Sequence, residues 1–148
     1  MDFSIPEHFT TGVLNGDDLI FFYYDICLNN LQDLPEECDW DSIVEEFKGL
    51  LDIDTCNPGQ VDENFVLNRI RFTVSNQKNS DNGSKPAAFF RHLRNAFAHY
   101  HVVREGENYV IVDKTEKHIT MQGLINAELL KAFCFRCFEL REQLMKTH

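Results

Sequence analysis

The sequence predicts an all-α fold, a helical bundle with one small β-hairpin before its last helix, built as a single domain over residues 1–148. Three segments carry the spacing that supports this: 15–34, 86–100 and 121–145 each place apolar side chains three and four residues apart. A chain of 148 residues buries about two thirds of its unfolded surface, enough for one core. With 13 Phe and 43% apolar residues, the composition fits a packed globule.

The first helix is expected over residues 15–34. It opens on Asp17 and Asp18 and runs through Leu19-Ile20-Phe21-Phe22-Tyr23-Tyr24, with a narrow polar stripe of Asp18, Asp25, Asn29 and Gln32. Ser42-Ile43-Val44-Glu45 has the form of a capping box and opens a second helix to about Asp52, where Asn57-Pro58-Gly59 forces a turn. A third helix over 60–75 would place Val66, Ile70 and Val74 on one face. Residues 76–84 hold no apolar side chain and are expected to form a mobile surface loop. Pro86 suits the first turn of the next helix, with Ser84 or Lys85 as its cap. Val102-Val103-Arg104, the turn Glu105-Gly106-Glu107-Asn108 and Tyr109-Val110-Ile111-Val112 predict the hairpin. The final helix, 121–145, aligns Leu130, Phe133, Cys137, Leu140 and Leu144 as a seam, with Phe135 on the opposite face among charged residues.

Composition narrows the function classes. No apolar run is long enough to span a bilayer, and the N-terminal residues lack a secretory pattern, so a cytoplasmic protein without membrane contact is expected. The cysteines are Cys27, Cys38, Cys56, Cys134 and Cys137. An odd number without an export signal favours reduced thiols, and the CxxC at Cys134 and Cys137 reads as core packing rather than zinc or redox chemistry. The formal charge of -10 argues against a nucleic-acid binder, yet it conceals a division. Residues 1–64 hold 16 of the 24 acidic groups and one basic group, whereas 65–148 hold 8 acidic and 13 basic groups. From Lys85 to Arg104 there are four basic residues, three histidines and no carboxylate, a local patch that could meet a phosphate.

That patch contains the segment able to carry chemistry. With each helical residue advancing about 100°, Phe89, Leu93, Ala96, Phe97 and Tyr100 form a core-facing stripe, and Arg91, His92, Arg94, Asn95, Ala98 and His99 take the other side. Asn95 and His99 are neighbours there, with Arg94 across the small Ala98. Histidine titrates near neutral pH and can move a proton to or from a ribose oxygen. The guanidinium fork of arginine suits non-bridging phosphate oxygens as charge grows on them. Asparagine can orient either group. No metal or other cofactor is needed, and the chemistry is confined to RNA because the 2′-oxygen attacks. Arg and His on an exposed helix face are also ordinary solvated residues, and their spacing arises by chance in many proteins. Arg91 could extend a phosphate contact or be a surface residue. His92 and His101 read as surface or loop-capping residues.

The fuller string His92-Leu93-Arg94-Asn95-Ala96-Phe97-Ala98-His99-Tyr100 resembles the signature of the HEPN superfamily, in which Arg, a polar residue and, after four to six intervening positions, His recur. It is similar in particular to a plasmid-associated HEPN branch, over about twenty residues from Lys85 to Arg104. The resemblance implies an up-and-down bundle of four or five helices, usually a homodimer, acting as a metal-independent endoribonuclease in toxin–antitoxin or phage-defence systems. On that basis Arg94, Asn95 and His99 would be catalytic and Arg91 and Tyr100 would contact RNA or phosphate, with an antitoxin or regulatory protein as a further partner. One branch modifies a tyrosine two residues after the histidine; here that position is His101. A non-catalytic HEPN protein binding a nucleotide, RNA or protein is the alternative. A helical interaction module using Phe135 is a third.

Overall fold

The computed structural model describes residues 40–78, 80–99 and 101–146, with side chains given through residue 139 except that of residue 138. The expected first helix, 15–34, lies outside them, as does Tyr100. The described chain is an α/β fold, which corrects the all-α bundle expected from apolar spacing. Its elements in order are α1 (Trp40–Glu46), β1 (Asp52–Thr55), β2 (Arg69–Phe72), α2 (Lys85–Ala98), β3 (Val102–Glu105), β4 (Asn108–Lys114), β5 (Ile119–Asn126) and α3 (Ala127–Lys146). The strands form one five-stranded mixed sheet in the order β1-β2-β5-β4-β3. β1 and β2 are parallel, and every other pairing is antiparallel.

Two strands replace expected helix because their apolar residues satisfy both periods. In β2, Ile70 and Phe72 are buried while Arg69 and Arg71 stay partly exposed, a period of two. Ile70 and Val74 also stand four apart, so the spacing alone does not separate the two structures. β5 takes the first residues assigned to the last helix, and Asn126 ends it. The Asn126 Oδ1 accepts from the Glu128 and Leu129 amides at 3.0 and 3.2 Å, an N-cap that starts α3. The hairpin does form at Val102–Lys114, as strands β3 and β4 at one side of the larger sheet.

Aromatic contacts hold the helices on the sheet face that carries Phe72. Trp40 of α1, Phe89 of α2 and Phe133 of α3 meet one another with ring centroids 5.4 to 5.5 Å apart. Phe72 meets Trp40 and Phe89 at 6.1 and 5.7 Å. Such tilted and edge-on pairs add about 0.5–1.5 kcal/mol each beyond the burial itself. On the opposite face Gln122 is fully buried, and its amide donates to the Asp62 and Asn64 carbonyls of the β1–β2 connection at 3.1 and 2.9 Å. Cys134 and Cys137 are buried in the core, and Cys56 is half-buried.

Gly123 pairs with Ile70 on one side and Ile111 on the other. A Cβ at Gly123 would lie 2.9 Å from Ile70 Cγ1, so a side chain there forces the central strands apart. Gly123→Ala is expected to cost about 1–3 kcal/mol through overpacking, measured as a lower urea midpoint with an unchanged slope.

In the segment 76–84, expected as a mobile surface loop, Asp81 and Gly83 make contacts with Ser75. Asp81 is buried, and Gly83 donates its amide to the Ser75 carbonyl at 2.8 Å, closing the turn. Asn82 and Gly83 have φ of 50° and 78°, a reversal that Asn and Gly accommodate best. No helix among the described residues is long and apolar enough to cross a membrane.

Candidate functional site on the second helix

Ser84 caps α2 by accepting from the Ala87 amide at 3.3 Å, with Pro86 in the first turn, and His99 stands at the C-terminal cap. The helix buries more of its circumference than one stripe. Alongside Phe89, Leu93, Ala96 and Phe97, it also buries Ala88, Phe90 and His92, because it packs on both β2 and β4. His92 therefore lies in the core, 1% exposed, and not on the surface as the helical wheel implied.

There His92 joins a chain of polar groups. Its Nδ1 lies 2.7 Å from Asp113 Oδ2 on β4, and its Nε2 lies 2.8 Å from the Thr73 carbonyl oxygen just after β2. Beside it, Arg91 donates Nε–H and Nη2–H to the two carboxylate oxygens of Asp81 at 2.6 and 2.8 Å. The Ser75 amide donates to Asp81 Oδ2 at 2.8 Å. The set ties α2 to β4 and to the end of β2. With both ring nitrogens engaged, His92 is a clamp rather than a reagent. The sequence held a signal for it: Tyr109, Ile111 and Asp113 share one face of a strand, so a carboxylate points inward with the core residues and needs a partner there.

Burial would raise the Asp81 carboxyl, but hydrogen bonding from Arg91 and from the Ser75 amide outweighs it and holds Asp81 below its usual range. That pairing stabilises the fold above the ordinary Asp value near 3.9 and is lost as pH falls through the depressed folded value. Asp81→Asn strands a charge on Arg91, whose side chain keeps 30% exposure, so the cost at neutral pH should sit at the lower end for a broken buried pair, about 3 kcal/mol. Melting curves of the two proteins should converge as pH falls below about 4.

Arg91, a candidate phosphate ligand, thus has two of its three guanidinium nitrogens committed to Asp81. Arg94, Asn95 and His99 are placed differently. Arg94 is half-buried and donates from Nη2 to Asn95 Oδ1 at 3.2 Å. Among the described residues no carboxylate pairs with it. Asn95 is half-buried and His99 is exposed. The His101 ring comes within 6.3 Å of the His99 ring, tilted by 33°.

Elsewhere the acidic first half of the chain neutralises the basic second half. Asp52 takes Arg71 at 2.9 Å, Asp62 takes Arg69 at 3.8 Å, Asp41 takes Lys85 at 3.6 Å and Glu46 takes Arg136 at 2.8 Å. The division of charge along the sequence is thus partly spent inside the fold. A separate groove of about 770 Å³ opens at the carboxyl ends of the parallel strands β1 and β2. Its walls include Thr55, Asn57, Gln60, Thr73, Ser75 and Gln77, all uncharged hydrogen-bonding side chains. Phe135, on α3, is 49% exposed.

Comparisons with protein-family models, with curated proteins and with solved structures found no match to this chain.

Proposed function

We propose that the outer side of α2 cuts RNA without a metal, through attack of a 2′-hydroxyl on the adjacent phosphorus. Arg94 binds the non-bridging oxygens and Asn95 fixes the guanidinium. His99 transfers the proton. The observation that carries this reading is the contrast along one helix: Arg91 and His92 are consumed by Asp81 and Asp113, whereas Arg94 has no carboxylate partner among the described residues and the helix ends on an exposed imidazole at His99. An arginine not neutralised by the protein is what a phosphate requires. The chemistry is that of the HEPN resemblance, carried here on a mixed sheet.

The test is incubation of purified protein with a fluorophore-quencher RNA in EDTA. Signal growing in proportion to protein, and lost with Arg94→Ala, supports the proposal. Intact RNA at micromolar protein would overturn it.

A second reading, a nucleotide-binding protein that does not cut, draws on the groove at the ends of β1 and β2. Crevices outside the carboxyl ends of strands are where open α/β sheets bind ligands, and the uncharged lining suits the edge of a base better than a phosphate. Saturable nucleotide binding that survives Arg94→Ala would favour it.

A further inference from the structure

We propose that His101 is a second catalytic residue of this site, the group that gives a proton to the departing 5′-oxygen while His99 accepts one from the 2′-hydroxyl. This rests on the ribonuclease reading above.

The reaction needs two proton transfers on opposite sides of one phosphorus. A bond forms from the 2′-oxygen to phosphorus as the bond from phosphorus to the 5′-oxygen breaks. The 2′-hydroxyl proton passes to His99, and the protonated His101 neutralises the leaving alkoxide. Exchange with water then restores both rings, and no oxidant, reductant or further reactant enters. A single imidazole can serve only one side at a time, whereas two rings can serve both in one step.

Three observations place His101 in that role. Its ring centroid lies 6.3 Å from that of His99, close enough for both rings to approach one phosphate, given that each must come within about 2.6–3.2 Å of its oxygen. Its backbone is fixed on both sides, the amide donating to the Ala96 carbonyl at 2.8 Å and the carbonyl accepting from Val112 at 3.0 Å. The backbone that carries the ring therefore holds its position relative to the end of α2. Finally, its Nδ1 is buried without a hydrogen-bond partner among the described residues. An unsatisfied buried nitrogen is a cost that a structural or capping histidine would not carry. His92, with both nitrogens engaged, is the structural case in the same protein. With Nδ1 closed off, Nε2 is the nitrogen of His101 left to meet a substrate.

His99 follows Asn95 by one helical turn, and its amide donates to the Asn95 carbonyl at 2.9 Å. His101 lies past the helix end, and is assigned to the leaving group.

The experiment uses two substrates. One is a natural RNA dinucleotide, whose leaving alkoxide must be protonated. The other is uridine 3′-(4-nitrophenyl phosphate), whose phenolate departs without a proton. For His101→Ala, loss of about 100-fold or more on the dinucleotide is expected, with less than about tenfold on the nitrophenyl ester. His99→Ala should lose both activities. If His101→Ala cuts the dinucleotide at the wild-type rate, or loses both substrates equally, the role given to His101 is overturned while the ribonuclease reading stands. If the unaltered protein cuts neither substrate, both fall together. A melting curve for His101→Ala matching the wild type within a few degrees completes the comparison.

Discussion

His99→Ala and Arg94→Ala should each lower RNA cleavage by at least about 100-fold, the usual scale for removing a proton-transfer group or a preorganised charge from a transition state. Neither change should weaken the fold by more than about 0.5 kcal/mol. His99 is exposed, and Arg94 reaches only Asn95 among the described hydrogen bonds. Loss of cleavage at unchanged melting temperature separates chemistry from folding. Arg94→Lys should rescue little, because an ammonium cannot span two phosphate oxygens as the planar fork does. Asn95→Ala should cost less than either, since it removes the 3.2 Å contact that orients the guanidinium and leaves the charge in place. Binding of uncleavable RNA should fall with Arg94→Ala and persist with His99→Ala, so that the two residues divide into a holding and a reacting role.

His92→Ala should produce the opposite pattern, a large loss of stability that drags activity down behind it. The substitution opens a cavity in a site that is 1% exposed and leaves Asp113 without the donor 2.7 Å away. The cavity and the buried carboxyl left without its hydrogen-bond partner together cost about 3–5 kcal/mol, which for a chain of this size lowers the melting temperature by about 10 °C. Asp113→Asn keeps the volume and a hydrogen-bonding group, and should cost less than half as much. Below its lowered transition, His92→Ala protein should retain cleavage far better than His99→Ala protein. Equal losses in the two would mean that the clamp is itself part of the chemistry.

The contrast between these two histidines also shows how far the sequence could be read. The position of α2 was legible because its signals agree: Ser84 caps it, Pro86 fits its first turn and Phe89, Leu93 and Phe97 keep one stripe. The hairpin was legible from Gly106, which takes φ of 63° between two apolar runs. The remainder of the sheet was hidden for physical reasons. β1 alternates Asp52-Ile53-Asp54-Thr55 over only four residues, too short to distinguish from the tail of the capped segment before it. β5 runs directly into α3, and the apolar spacing passes through the junction without a break. The stop at Asn126 is marked by a side-chain cap and not by Gly or Pro.

Within the site, a helical wheel assumes one buried face. α2 packs on both β2 and β4, so a polar position such as His92 turned inward. Arg91 was pulled down by Asp81, a residue of a segment whose composition suggested only a loop. Arg94, Asn95 and His99 lie where the buried faces end, which is why periodicity could separate them from the core.

The most direct measurement is the chemistry of the ends left on RNA incubated with this protein in EDTA, beside the same RNA methylated at every 2′-oxygen. If Arg94 and His99 act as described, the unmodified RNA yields 2′,3′-cyclic phosphate and 5′-hydroxyl ends and the methylated RNA stays intact. Cutting of the methylated strand, or ends bearing a 3′-hydroxyl and a 5′-phosphate, would contradict attack by the 2′-oxygen and with it the role assigned to this face of α2.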